Sequence, residues 1–146
     1  MTTETTQSES STDKSVRVLV AEADAGIREA LASQLSSFDG FELVGTEASA
    51  SDAIIAAYRL HPDIVLLDLT PPDRTAPDAI RHLLRVCPGV SVAMLVDQEE
   101  DARLTPALDA GARESLPKTV PPERLESILR RLGPGSLGNS GGPPVD

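Results

Sequence analysis

Three charged side chains each come at the end of a short strand-like stretch of this chain, two of these stretches being apolar, and their types and order indicate a charged ligand site. Glu22 comes directly after Val16–Ala21, Asp68 closes the apolar run 64–67, and Lys118 follows a third, shorter stretch. Short apolar runs bounded by turn residues are typical of strands buried on both faces of a parallel sheet. Open α/β sheets bind ligands at the carboxyl ends of their strands, so these three groups are candidates for one site.

Five strand-and-helix units are predicted to position these groups. The predicted strands cover residues 16–21, 41–45, 64–67, 90–96 and 113–117, and each is followed by a helical pattern. Repeated βα units fold as a doubly wound parallel sheet with helices on both faces. The strand order 2-1-3-4-5 suits five strands and makes strands 1, 3, 4 and 5 successive neighbours. Glu22, Asp68 and Lys118 then converge on one rim.

Length and composition limit the function classes. The 146 residues predict one domain over 15–132, with disordered tails at 1–14 and 133–146. A formal net charge of −10 and only 2% aromatic residues argue against direct contact with nucleic acid or an anionic membrane. The single cysteine, Cys87, excludes an internal disulfide and a multi-cysteine metal site. With no signal peptide or membrane span in the pattern, a cytoplasmic protein is expected.

The pattern of motifs resembles the receiver domain of two-component response regulators over about residues 16–132. The resemblance rests on three stretches, which are Arg28-Glu29-Ala30-Leu31, Pro62-Asp63-Ile64-Val65-Leu66-Leu67-Asp68-Leu69 and Ala110-Gly111-Ala112. It implies a flavodoxin-like receiver fold in which Asp68 accepts a phosphoryl group from a histidine kinase or phosphotransfer protein. It also implies that Lys118 pairs with phosphoryl oxygens, and that Glu22, Asp68 and the backbone carbonyl near Thr70 hold Mg²⁺.

The sequence departs from the family pattern at several site positions. The paired acids after strand 1 align with Glu22-Ala23, so one carboxylate is missing, and Asp24 is either a helix cap or a displaced substitute. Val96 stands where the family usually has Thr or Ser. Ser115 occupies the position of the aromatic switch residue. These departures predict an atypical receiver with a weakened or lost Mg²⁺ site.

Two function hypotheses remain open from the sequence. The first is a single-domain phosphorelay receiver with Asp68 as phosphoacceptor and output by contact with an unidentified downstream protein. The alternative is a phosphorylation-independent pseudo-receiver that acts as a protein-binding module. An enzyme is not expected, because the chain lacks a Gly-rich phosphate loop and a nucleophile–histidine pair.

Overall fold

The computed structural model describes residues 15–68, 76–97 and 104–134, which form five strands and five helices. The strands are β1 Val16–Ala21, β2 Phe41–Glu47, β3 Ile64–Asp68, β4 Ser91–Val96 and β5 Glu114–Pro117. The helices are α1 Ala25–Ser37, α2 Ala50–Leu60, α3 Ala76–Val86, α4 Leu104–Ala110 and α5 Pro122–Leu132. The predicted tail 1–14, and all of the predicted tail 133–146 except Gly133 and Pro134, lie outside the described residues.

The strands form one parallel sheet in the order β2-β1-β3-β4-β5, which confirms the predicted topology. Near the carboxyl edge, Ala21 pairs with Leu67, and Val96 pairs with Pro117. This register places the residues that follow β1, β3 and β5 at the same edge. The sheet therefore brings together positions that are 96 residues apart in the chain.

The sheet is buried on both faces because β3 is apolar up to its last residue, Asp68, and β4 is apolar after its first, Ser91. All residues of β3 and β4 are buried. Alternate residues enter opposite layers. Leu19 and Leu67 pack with the cluster beneath α2, α3 and α4, whereas Val20 and Leu66 pack with the cluster beneath α1 and α5. The two-layered aliphatic core gives the strand ends a rigid base.

Local signals set where the helices begin and end. Asp24 and Ser49 cap α1 and α2 by accepting backbone N–H bonds from Ile27 and Asp52. Gly111 follows α4 with φ +126°, where a side chain is strained, and a Cβ there would come within 2.5 Å of the Leu84 side chain. The Ala-Gly-Ala motif is thus needed for backbone conformation and close packing.

The described part of α4, Leu104–Ala110, contains Pro106 and has seven residues. A proline inside a helix removes a backbone donor and is expected to kink or shorten the helix. Residues 98–103, which precede this part of α4, lie outside the described residues.

Candidate functional site

The candidate site lies at the carboxyl edge of the sheet, where β1, β3 and β5 end. The Lys118 Nζ is 2.7 Å from Asp68 Oδ1 and 3.2 Å from Glu22 Oε2. The Lys118 backbone N–H donates to the Val96 carbonyl at 3.0 Å, which extends the β4–β5 pairing by one residue. The structure therefore brings together the three charged residues that the sequence indicated.

The turn after β1 directs its backbone N–H groups at the two carboxylates. The Ala23 N–H donates to Asp68 Oδ2 at 3.2 Å, and the Asp24 N–H donates to Glu22 Oε2 at 3.0 Å. Arg28 donates from Nη1 to the Glu22 carbonyl at 2.8 Å. The turn thus supplies one backbone donor to each carboxylate, and the Arg28 guanidinium bonds to the Glu22 carbonyl.

Burial strengthens the electrostatic coupling among these groups. The side chains of Glu22, Asp68 and Lys118 are 0%, 3% and 7% exposed. Burial raises the pKa of the Glu22 carboxyl above its usual 4.5; the Asp24 N–H opposes this, Asp68 adds to it, and Lys118 opposes it. For Lys118, burial lowers the pKa, but hydrogen bonds and charge from Asp68 and Glu22 outweigh burial and raise the pKa above 10.5. A protonated lysine between two carboxylates is the stable arrangement at neutral pH.

The carboxylates of this site suit a divalent cation of the Mg²⁺ type. Glu22 Oε1 is buried, and no donor among the described residues bonds to it, so this carboxylate oxygen is available to a ligand. Mg²⁺ in phosphate sites is commonly held by only one or two carboxylates, with water and phosphate oxygens completing its coordination. Across 15–68, 76–97 and 104–134, no group of three or more Asp, Glu, His or Cys residues is arranged to hold a metal. The donor set therefore fits a cation bound in part by a phosphate.

Other predicted site positions differ in their surroundings. Thr70 lies outside the described residues. Asp24 caps α1 through its Oδ1, in agreement with the helix-cap reading of this residue. Val96 is fully buried in the core, and Ser115 is half-buried in β5. In the described residues, neither position carries a side chain of the usual receiver type.

Two residues near the site were not singled out as site residues from the sequence. Asp97 Oδ1 lies 3.9 Å from Lys118 Nζ, because Asp97 directly follows β4 and Lys118 directly follows its neighbour β5. In the sequence, the position of Asp97 at the end of a predicted strand could have identified it. Arg28 lies one helical turn after the N-cap Asp24, and this position lets its Nη1 donate to the Glu22 carbonyl.

The order of the sheet and the Asp–Lys pair at its carboxyl edge define a doubly wound α/β protein with a charged site at the strand ends. Residues 18–130 match the family described as the response regulator receiver domain. The chain therefore belongs to the response regulator receiver family.

Individual relatives agree with this assignment. The chain is similar to response regulator protein VraR of Staphylococcus epidermidis, with 31% identity over 120 residues, covering 82% of this chain and 57% of that protein. VraR of Staphylococcus aureus gives the same values. The match thus spans little more than half the length of these curated relatives.

Solved structures share the fold. The signal receiver domain of the putative response regulator NarL from Mycobacterium tuberculosis has a TM-score of 0.73 and 22% identity, covering 82% of this chain and 97% of that chain. The response regulator domain of CheB from Thermotoga maritima has a TM-score of 0.72 and 22% identity, covering 81% and 96%. These likenesses confirm the predicted flavodoxin-like receiver fold.

Family membership fixes the general role of the chain. It is a receiver domain of two-component signalling. Receiver domains in general are signalling modules rather than enzymes, bind Mg²⁺ at the phosphorylation site and interact with histidine kinases or phosphotransfer proteins. Within the described residues, every helix is too short or too polar to cross a membrane.

Proposed function

We propose that this receiver accepts a phosphoryl group on Asp68 from a phosphohistidine of a histidine kinase or phosphotransfer protein. The observation that supports the proposal is the 2.7 Å contact between Asp68 Oδ1 and Lys118 Nζ at the ligand-binding edge of the sheet. An acid at the end of β3 paired with a lysine after β5 is also the arrangement that the family uses for phosphoryl acceptance.

The chemistry follows from the charges in the pocket. One oxygen of Asp68 forms a bond to phosphorus while the P–N bond to the donor imidazole breaks and its electron pair returns to nitrogen. The transferred group carries negative charge towards a carboxylate, so fixed positive charge must offset the repulsion. Lys118 supplies an ammonium, and the Ala23 N–H, which contacts Asp68 Oδ2 in the resting site, supplies a backbone donor.

Glu22 and Asp68 would hold Mg²⁺, with Thr70 as the predicted source of a carbonyl ligand. The ion, when bound, neutralises charge on the phosphoryl oxygens. The bonds that Glu22 Oε2 accepts from Lys118 and the Asp24 N–H orient the carboxylate, and Oε1 receives no hydrogen bond from the residues that the structure describes. With Ala23 in place of the second acid, the proposal includes weaker Mg²⁺ binding than a site with three carboxylates would have.

The test is phosphorylation of the full chain by phosphoramidate in Mg²⁺, followed by intact mass measurement. A base-labile gain of one phosphoryl group is expected, and it should be lost in Asp68→Asn. The control Asp39→Asn changes an exposed carboxylate at the opposite edge of the sheet and should keep the gain. Borohydride trapping of the acyl phosphate in the unaltered chain locates the modified residue independently of any variant. Modification at another residue, or no gain at all, would exclude Asp68 as the acceptor.

The downstream output is proposed to be a protein contact through α4, β5 and α5. The chain carries a formal net charge of −10, which disfavours direct DNA contact. On this face, Arg131 of α5 forms a 2.7 Å ion pair with Glu114 of β5. Action as a single domain stays a prediction from the sequence.

A second candidate function is a protein-binding module that does not depend on phosphorylation. The observation that favours it is Val96, a fully buried residue without a hydroxyl at the position where receivers usually bond the phosphoryl group through Thr or Ser. Partner binding that is equal in the unaltered chain, in Asp68→Asn and after phosphoramidate treatment would favour this module. Binding that requires the phosphorylated form would exclude it.

A further inference from the structure

Lys118 contacts a third carboxylate, that of Asp97, in addition to Asp68 and Glu22. The Asp97 Oδ1 is 3.9 Å from Lys118 Nζ. The N–H of Lys118 bonds to the carbonyl of Val96, the residue before Asp97, so the backbone fixes the two side chains as neighbours. This proximity is set by the sheet and not by a mobile surface pair.

Asp97 is the carboxylate of this cluster that solvent reaches. Its side chain is 61% exposed, whereas those of Glu22 and Asp68 are almost fully buried. A phosphate-bearing molecule that contacts Asp68 and Lys118 lies close to the Asp97 carboxylate, because Asp97 Oδ1 is 3.9 Å from the Lys118 ammonium. The negative charge of Asp97 repels an anionic ligand, and it also offsets part of the positive charge of the Lys118 ammonium.

The three carboxylates outnumber the one ammonium that they contact. A small acyl phosphate, such as acetyl phosphate, is an anion and carries no cationic group to compensate Asp97. A phosphohistidine on a protein surface differs, because neighbouring Lys or Arg side chains can pair with the exposed carboxylate. We propose that Asp97 is a specificity-determining residue that disfavours small anionic phosphodonors relative to a protein donor with a cationic surface. This inference rests on the proposed phosphoryl acceptance at Asp68.

The expected size of the effect follows from Coulomb's law for exposed charges. Two unit charges about 4 Å apart in water interact by an energy that corresponds to about a fivefold change in binding. Salt screens exposed charges, with a Debye length of about 10 Å at 0.1 M and about 3 Å at 1 M. Asp97 should therefore act mainly at low ionic strength and mainly on donor binding.

The test compares initial rates of phosphorylation by acetyl phosphate in the unaltered chain, Asp97→Asn and Asp39→Asn. Asp97→Asn removes the charge with little change in shape, and Asp39→Asn makes the same change in net charge at the opposite edge of the sheet. We expect Asp97→Asn to lower the KM for acetyl phosphate about fivefold at low salt. The advantage should shrink at 1 M salt, and Asp39→Asn should match the unaltered chain.

A second readout does not need phosphoryl transfer. Fluoroberyllate is an anionic mimic of the phosphoryl group, and its affinity is measured from the rise in unfolding temperature. Asp97→Asn should bind it more tightly than the unaltered chain, again with an advantage that salt removes. If no variant is phosphorylated, the proposed function fails and donor selection by Asp97 fails with it, whereas tighter fluoroberyllate binding by Asp97→Asn would still show that Asp97 repels anions at this site.

Three results would overturn the inference. The first is phosphorylation with the same KM in all three proteins. The second is an equal gain in Asp39→Asn, which would indicate a general effect of net charge. The third is fluoroberyllate binding that is unchanged, or undetectable, in Asp97→Asn.

Discussion

Lys118 is the residue on which the electrostatics of the site depend. Its nearly buried ammonium separates two buried carboxylates, and it is the common partner of Glu22 and Asp68. Removal of one partner of a buried ion pair leaves uncompensated charge, which typically costs about 3–5 kcal/mol. The Lys118→Met variant should therefore lose about that much free energy of unfolding at pH 7, as measured by urea denaturation.

The matched control for this loss is the double variant Lys118→Met/Glu22→Gln. It removes one of the two carboxylates that Lys118→Met leaves without their cation, and it should recover part of the lost stability. A Lys118→Met variant as stable as the unaltered chain would contradict the buried pairing. So would a double variant that is less stable than Lys118→Met alone.

Glu22 gives the stability of the fold a defined pH dependence. Burial raises its pKa in the folded state above 4.5, so its contribution is fully present below that value and is lost as pH rises through the folded pKa. Glu22→Gln has no such loss. The free energy of unfolding of Glu22→Gln relative to the unaltered chain should therefore rise between pH 4.5 and pH 8.

Urea denaturation across this pH range checks the sign, and the Asp39→Asn variant provides the reference. Asp39 is exposed at the opposite edge of the sheet, away from Lys118 and Asp68. Its difference from the unaltered chain should stay flat compared with that of Glu22→Gln. A relative stability of Glu22→Gln that falls with pH would contradict the direction of the shift.

The strands and helices could largely be predicted from the sequence, because the spacing of their apolar residues follows from which side chains are buried. The apolar runs of β3 and β4 are buried on both faces, as their composition predicted. Helix α4 is harder to read from the sequence, because proline removes a hydrogen bond in a helix interior but not in a first turn, and the pattern around Pro106 does not distinguish the two.

The first turn of α1 separates the two readings of Asp24. As the N-cap, its Oδ1 accepts the Ile27 N–H at 3.0 Å, and loss of such a cap costs about 1 kcal/mol. Asp24→Ala should therefore lower the free energy of unfolding by about that amount. Mg²⁺ affinity, measured by calorimetry, should stay unchanged. A large loss of Mg²⁺ affinity with little loss of stability would identify Asp24 as a ligand instead.

The strand order of the sheet determines which side chains meet at the site. Glu22, Asp68 and Lys118 were predictable as neighbours once the order 2-1-3-4-5 was inferred, because each directly follows or ends a strand. Distances, and the orientation of the Ala23 N–H towards Asp68, depend on turn conformation and were beyond sequence reasoning. The strand order also makes Asp97 a neighbour of Lys118, because the two residues directly follow β4 and β5, but their 3.9 Å separation depends on side-chain placement.

Mg²⁺ should stabilise the whole fold through Glu22 Oε1, the buried oxygen that no donor in the described part of the chain contacts. A ligand that binds only the folded state at ten times its Kd adds about 1.4 kcal/mol to the free energy of unfolding. The chain also carries a formal net charge of −10, so any salt reduces its self-repulsion. The specific effect is the rise in unfolding temperature with MgCl₂ beyond that with KCl at equal ionic strength. This excess should vanish in Glu22→Gln and persist in Asp39→Asn. An equal rise in the two salts would show that Mg²⁺ does not bind at this site.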